Sequence, residues 1–186
     1  MGNKRNGYYL FRWCCNIIDF VEHDDNWVNM FEKEKELLAD IFNDILIKIE
    51  HFGSTSIPNI SAKPIIDIFV FVSNTENIEK YDNIMIGQGY KSKGIQEFTD
   101  CKVFVKKNNL NKTSHKVNIC KENNKFSIGA LLFRDFLRID KQTRVKYENL
   151  KKELLQKYPD DPYAYGDGKQ TFIKETIEQA KSHFGQ

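Results

Sequence analysis

Apolar and polar residues alternate with a period of two through the middle of this chain, and with a helical period at both ends. Asp25 to Asp44 predicts a helix: Trp27, Phe31, Leu38 and Ile41 or Phe42 fall on one face, continued by Ile45, and Asp24 or Asp25 can cap it. Leu46–Phe52 alternates as a strand. Pro64–Val72 follows as a second strand built on the nearly unbroken apolar run Ile65 to Val72, the pattern of a strand buried on both faces. Thr75–Gly87 predicts a helix with Ile78, Tyr81 and Met85 as its apolar face, ended by Gly87 and Gly89. Tyr90–Ile95 and Lys102–Lys106 predict two further strands, and Asn108–Thr113 a turn. His115–Lys121 alternates again, with His115, Val117 and Ile119 on one face and Lys116, Asn118 and Cys120 on the other. The last third returns to helical spacing over Phe126–Ile139, Gln142–Tyr158 and Pro162–Phe184, with caps at Asp140 and at Asp160-Asp161.

Strands followed by a run of helices predict an α+β fold: a mixed sheet with flanking helices and a C-terminal helical segment. Residues 1–16 stand before the patterned region as an extension, and residues 17–186 form one domain. A second reading separates the C-terminal helices as a small lobe that closes a cleft over the sheet. For the extension the two readings are a poorly ordered segment and a lipid anchor through Gly2, Cys14 and Cys15. Asn6 stands where the myristoylation pattern wants Ser or Thr.

Composition narrows the partners. A net charge of +2 in 186 residues carries no clear nucleic-acid signal. No apolar run reaches membrane-spanning length. The four cysteines, Cys14, Cys15, Cys101 and Cys120, contain no C-x-x-C pair, so a structural zinc site is not expected. Without a signal peptide they read as reduced thiols of a cytoplasmic protein.

The chemistry concentrates in His51–Val72, HFGSTSIPNISAKPIIDIFVFV. Asp67 is the one charge in the apolar run, and a carboxylate there needs a cation or a metal beside it. Gly53, Ser54, Thr55 and Ser56 form a turn upstream. Their side chains either satisfy the turn itself or, with the Gly53 and Ser54 amides, face a phosphate. Lys63, held extended before Pro64, is placed to meet the same anion. His51 and His115 end neighbouring strands, and with Asp67 they make an open metal site on paper. Arg134 interrupts the apolar stretch ALLFRDFL. It reads either as half of an interhelical ion pair or as a guanidinium clamp on an anion, opposite Lys63. Lys151 and Lys169 read as surface residues, and Trp27, Phe31, Phe133, Phe136 and Phe172 as core.

The stretch also resembles the GrpB family, uncharacterised proteins assigned to the nucleotidyltransferase fold. The pattern HxGSTxVPGLxAKPxIDI is matched by His51, Gly53, Ser54, Thr55, Ser56, Pro58, Ala62, Lys63, Pro64, Ile66, Asp67 and Ile68. Glu22–Phe31, the LFRDFL segment at Leu132–Leu137, and Tyr147, Lys151, Tyr165, Lys169 and Phe172 continue the likeness. The resemblance implies a cleft for a nucleotide or phosphorylated small molecule, with Asp67 as catalytic residue and Mg²⁺ or Mn²⁺ as cofactor. Substrate contacts would come from Gly53, Ser54, Thr55, Ser56, Lys63, Arg134 and Lys169, and metal contacts from Asp67, His51 and His115. The chain departs from the fold's Asp-x-Asp pattern, since Asp67-Ile68-Phe69 lacks the second carboxylate. Lys116 and Asn118 stand where the family has histidines. Three functions are compatible with these residues: a nucleotidyltransferase-like enzyme, a non-catalytic binding module using the same cleft, and a metal-assisted hydrolase on His51, Asp67 and His115.

Overall fold

The computed structural model describes residues 19–185; both readings of the N-terminal extension fall outside them. Five strands, β1 (Leu46–Phe52), β2 (Ile66–Val72), β3 (Tyr90–Gln96), β4 (Cys101–Lys107) and β5 (Thr113–Lys121), form one sheet in the order β1-β2-β5-β4-β3. β2 pairs parallel with β5 and antiparallel with β1, and the remaining pairings are antiparallel. The sheet is mixed, as expected.

β2 sits between two strands and has helices on both faces, which is why its sequence is apolar throughout. Ile66, Ile68, Val70 and Val72 pack with Trp27, Phe31, Leu38 and Phe42 of α1 (Asn26–Phe42) and with Met85 of α2 (Asp82–Gly87). Phe69 and Phe71 point the other way, as period-two alternation requires. They join Phe52 and Cys120 under α3 (Lys125–Ile139), α4 (Lys141–Lys157) and α6 (Gln170–Phe184), through Phe133, Leu137, Tyr147 and Ile173. Phe52 stacks on Phe69 with ring centroids 3.7 Å apart, fixing the β1–β2 register on this face. The C-terminal helices therefore share one apolar layer with the sheet.

Most boundaries move by one or two residues. Asn124 and Asp140 cap α3 and α4 through Ser127 and Thr143 amides. Two expected helices are broken. Thr75–Gly87 becomes a 3₁₀ turn at Ile78–Tyr81 followed by α2, because Asn77 adopts a left-handed conformation (φ 55°) that interrupts the spiral. Ile78, Tyr81 and Met85 are nonetheless buried. Pro162–Phe184 divides into α5 (Pro162–Gly168) and α6 at Lys169. At Gly168 an added Cβ would stand 2.4 Å from Leu154 Cδ2, so the missing side chain lets α5 close onto α4. The break places Lys169 at the α5–α6 junction.

Candidate functional site

β1 ends at Phe52, and Gly53 turns the chain into a short 3₁₀ turn, Ser54–Ser56. Gly53 has φ +74° and ψ −176°, a region open only to glycine. It is also where Asp67 comes closest: a Cβ on Gly53 would lie 2.6 Å from Asp67 Oδ2. The glycine thus both allows the turn and lets the Asp67 carboxylate rest against the backbone.

Above this contact opens a cleft enclosing about 70 Å³. Its lining is Phe20 from the N-terminal arm, Ser54 and Thr55 from the turn, Lys63 and Ile65 from the approach to β2, and Asp67 from β2 itself. The C-terminal helices supply Tyr147, Lys151, Pro162, Tyr165 and Lys169. Three lysines and one carboxylate line it. A fourth lysine acts from the neighbouring strand: Asp67 and Lys116 are register partners across the parallel β2–β5 pairing, so their side chains share a face.

The lysines are held under tension by burial and by one another. Lys169 is pushed down to about 7, by burial first and then by the Lys63 and Lys151 charges, against the pull of Asp67. Burial lowers Lys116 to about 8, with Asp67 opposing, and lowers Lys151 to about 8, with Glu148 opposing. Asp67 is raised to about 6 by burial, with Lys116, Lys169 and Lys63 opposing. Tyr165 lies under two ammonium groups, with Lys169 Nζ at 4.4 Å and Lys63 Nζ at 5.7 Å from its ring centroid, a favourable seat for cations. Tyr147 is buried against Ser54, with its phenol raised to about 12 by burial although the Ser54 hydrogen bond opposes this.

The residues expected at this site divide. Ser54, Thr55, Lys63, Asp67 and Lys169 line the cleft together, and Gly53 touches Asp67. The hydroxyls of Thr55 and Ser56 serve the turn: Thr55 Oγ1 donates to the Ile65 carbonyl at 2.9 Å and Ser56 Oγ to the Gly53 carbonyl at 2.7 Å. Arg138 donates twice to the Ser56 carbonyl, at 3.0 and 2.9 Å, holding the turn from α3.

Three expectations are corrected. Arg134 does not stand across the cleft from Lys63. Its guanidinium donates to Glu50 at 2.8 Å, to Asp135 at 2.7 and 3.1 Å and to the His51 carbonyl at 2.7 Å. It is only 7% exposed and fully engaged in tying α3 to β1. Neither histidine approaches Asp67. His51 pairs in register with Ile68 and His115 with Ile66, which places both on the α1 face, while Asp67 faces the other side. Thr55 gives its one hydroxyl proton to Ile65, so His51 Nε2, 3.0 Å away, must donate to Thr55 Oγ1. That nitrogen is then closed to a metal. Burial first, then the Arg138 and Arg134 charges, push the His51 imidazole down to about 3, keeping it neutral. His115 instead lies 3.8 Å from Glu34 Oε2. Finally, Lys151 and Lys169 are not surface residues, being 1% and 7% exposed. Lys151 Nζ donates to the Ser61 carbonyl and pairs with Glu148 at 3.0 Å, while Glu148 accepts from the Ser61 amide and hydroxyl at 3.0 and 2.7 Å.

Tyr147, Tyr165 and Lys116 were not among the expected site residues. A signal for part of this existed: Tyr147, Lys151 and Leu154 recur at helical spacing in a polar helix, and all three are buried.

The donor set does not suit a divalent cation. A two-metal site needs several carboxylates, and Asp67 is the one acidic residue lining the cleft. The positions beside and beyond it on β5 offer Lys116 and Asn118. Among the described residues no three His, Cys, Asp or Glu side chains group as metal ligands, and no helix is long and apolar enough to cross a membrane.

Comparison with known proteins places this geometry. The chain is 37% identical over 164 residues to UPF0157 protein YqkA of Bacillus subtilis, covering 88% of this chain and 47% of that one, so it spans about half the length of that relative. It is 36% identical over 163 residues to the glutamate-rich protein GrpB of Alkalihalophilus pseudofirmus, covering 86% of this chain and 93% of that one. The crystal structure of the conserved protein GrpB from Enterococcus faecalis superposes with a TM-score of 0.81 at 32% identity, over 90% of this chain and 99% of that one. The Cid1 poly(U) polymerase bound to MgATP shares the fold at a TM-score of 0.56 and 17% identity, over 79% of this chain and 50% of that one. The family model described as GrpB protein matches residues 17–179. With its nucleotidyltransferase-like sheet and the motif seated around Asp67, the chain belongs to the GrpB family.

Proposed function

We propose that this chain binds a phosphate-bearing small molecule, of the nucleotide class, in the cleft above Asp67. The observation that carries this reading is the convergence of cations: Lys63, Lys151 and Lys169 line one cleft, and Lys116 stands beside Asp67 on the neighbouring strand. A dianion seated among these ammonium groups is attracted by each of them, and more strongly in a partly dry cleft than in water. Phe20 and Ile65 give the cleft apolar surface for the remainder of such a ligand. The likeness to nucleotide-binding polymerases supports the ligand class.

Binding without transfer is the reading the residues favour, since Asp67 has no second carboxylate to hold a catalytic metal pair. Transfer remains the competing outcome of the test. Thermal unfolding of the full chain against a panel of nucleoside mono-, di- and triphosphates is the experiment. A ligand at about 100 times its Kd adds about 2.7 kcal/mol, or roughly 5–10 °C in Tm for a chain of this size, and Lys169→Gln removes most of the shift. No shift with any phosphate ligand refutes the proposal. Conversion of the nucleotide during incubation assigns transfer instead.

A further inference from the structure

We propose that lysine ammonium groups replace divalent cations in this cleft, so that its phosphate-bearing ligand is bound metal-free, with Lys116 as the built-in counter-cation of Asp67. This rests on the phosphate-cleft reading above and adds how the charge is met.

Parallel pairing sets Asp67 directly beside Lys116, and alternation turns both to the same face. Strand neighbours in register stand about 5 Å apart, within reach of a four-carbon side chain. Of the charges acting on Asp67, Lys116 is the largest, followed by Lys169 and Lys63. The register thus gives the carboxylate a cation from within the chain, which opposes the larger effect of burial.

The other side of the carboxylate is closed. Asp67 Oδ2 lies so near Gly53 that a Cβ there would stand 2.6 Å away. A divalent ion approaching Asp67 would meet the Gly53 backbone on one flank, Lys116 on the neighbouring strand, and a cleft lined by Lys63, Lys151 and Lys169. Like charges repel strongly in a partly dry site. Among the described residues the wider surroundings add no further carboxylate or imidazole: His51 and His115 occupy the opposite face, Glu148 is committed to Ser61 and Lys151, and the one partnerless oxygen on this face of the sheet is the neutral Asn118 Oδ1. Asn118, further along β5, adds no charge; its amide nitrogen reaches the Ile68 carbonyl at 3.4 Å.

An anion fares differently. Lys63 and Lys169 share the Tyr165 ring and border the open part of the cleft. They supply separate point charges, which suits a phosphoryl group whose oxygens point in several directions. Burial, then the Lys63 and Lys151 charges, lower the affinity of Lys169 for its proton, and a neighbouring anion would oppose that shift as Asp67 does. The chemical class that fits is a phosphate ester or a pyrophosphate presented without its magnesium.

Titration calorimetry of inorganic pyrophosphate into the full chain tests this, once in excess EDTA and once in excess Mg²⁺. Expected is binding in EDTA that weakens when Mg²⁺ sequesters the pyrophosphate. Lys116→Gln should lose roughly tenfold in affinity in EDTA, the scale of one charge-assisted contact. Binding that appears only with Mg²⁺ overturns the metal-free inference and leaves the phosphate-cleft reading standing. No binding in either condition overturns the phosphate-cleft reading itself. Lys116→Gln with wild-type affinity removes Lys116 from the account. A separate readout needs no anion: the electron paramagnetic resonance signal of free Mn²⁺ should be unchanged by the wild-type protein. Loss of that signal with wild type, restored in Asp67→Asn, would show a true metal ligand and contradict the proposal.

Discussion

Gly53→Ala perturbs the turn and the carboxylate at once, and its cost can be worked from the geometry. With φ +74° and ψ −176° the backbone lies in a region that an L-residue enters at about 1–3 kcal/mol. The new methyl would also stand 2.6 Å from Asp67 Oδ2, 3.2 Å from its Cβ and 3.3 Å from its Cγ. The contact involves the root of the side chain as well as its tip, so rotation of the carboxylate alone does not relieve it. Overpacking of this kind costs about 1–3 kcal/mol. Together the two terms predict a loss of roughly 2–6 kcal/mol, which for a chain of this length lowers Tm by about 4–24 °C. Thermal and urea unfolding, followed by circular dichroism, measure it. A double-mutant cycle separates the terms: in an Asp67→Gly background, which removes all three contacted atoms, Gly53→Ala should cost only the backbone part, leaving a coupling of about 1–3 kcal/mol. A single variant within 2 °C of wild type, or a coupling near zero, would refute the claim that Gly53 exists to seat Asp67.

Two further outcomes follow from the same geometry. Lys169 takes up its proton near 7 in the fold and near 10.5 when unfolded, so between these values the unfolded chain holds more protons and stability rises with pH. The penalty for the buried charge is complete below about pH 7; Lys169→Met should therefore stabilise the ligand-free protein at pH 7, by a few kcal/mol at most, and do little at pH 10, as urea unfolding at the two pH values would show. Arg134→Ala should cost about 1–3 kcal/mol, because it leaves the buried His51 carbonyl without its donor while the half-buried Glu50 regains water, yet leave anion affinity unchanged. Denaturant midpoints and calorimetry on the same sample test both halves, and a selective loss of anion binding would return Arg134 to the cleft.

How much of this was legible in the sequence follows a physical boundary. β2 was readable because a strand covered on both faces is apolar throughout, and Asp67 stood out against it. The alternation in Thr113–Lys121 already separated His115 from Lys116. What alternation could not supply was register: it fixes faces within one strand, and only pairing tells which face of β5 shares a side with Asp67. A metal triad of Asp67, His51 and His115 was drawn across the sheet for that reason. The burial of Lys151 and Lys169 was hidden for a related cause. A lysine reads as surface unless its partners are known, and Ser61 and Glu148 meet Lys151 only through the packing of α4 on the loop before β2. The break at Lys169 was masked by the helical periodicity of Pro162–Phe184; the close approach of Gly168 to Leu154 is a tertiary event. Arg134 was recognised as costly to bury, and two of its partners, Glu50 and the His51 carbonyl, were more than eighty positions away.

If the lysines around Asp67 form an anion site, sulfate binding must depend on pH. Sulfate is a dianion whose own charge is constant between pH 6 and 8, so any change in affinity belongs to the protein. Lys169, titrating near 7 when the cleft is empty, must be protonated to contribute, and its protonated fraction falls about tenfold over that range. Raised to about 6, Asp67 adds to the same trend at the acidic end by losing charge. Calorimetry in two buffers of different ionisation enthalpy counts the protons taken up. The account predicts that sulfate binding weakens about tenfold or more from pH 6 to 8, with proton uptake on binding near pH 7.5 that is lost in Lys169→Met. Sulfate affinity that is flat across this range, or no sulfate binding at pH 6, would contradict it.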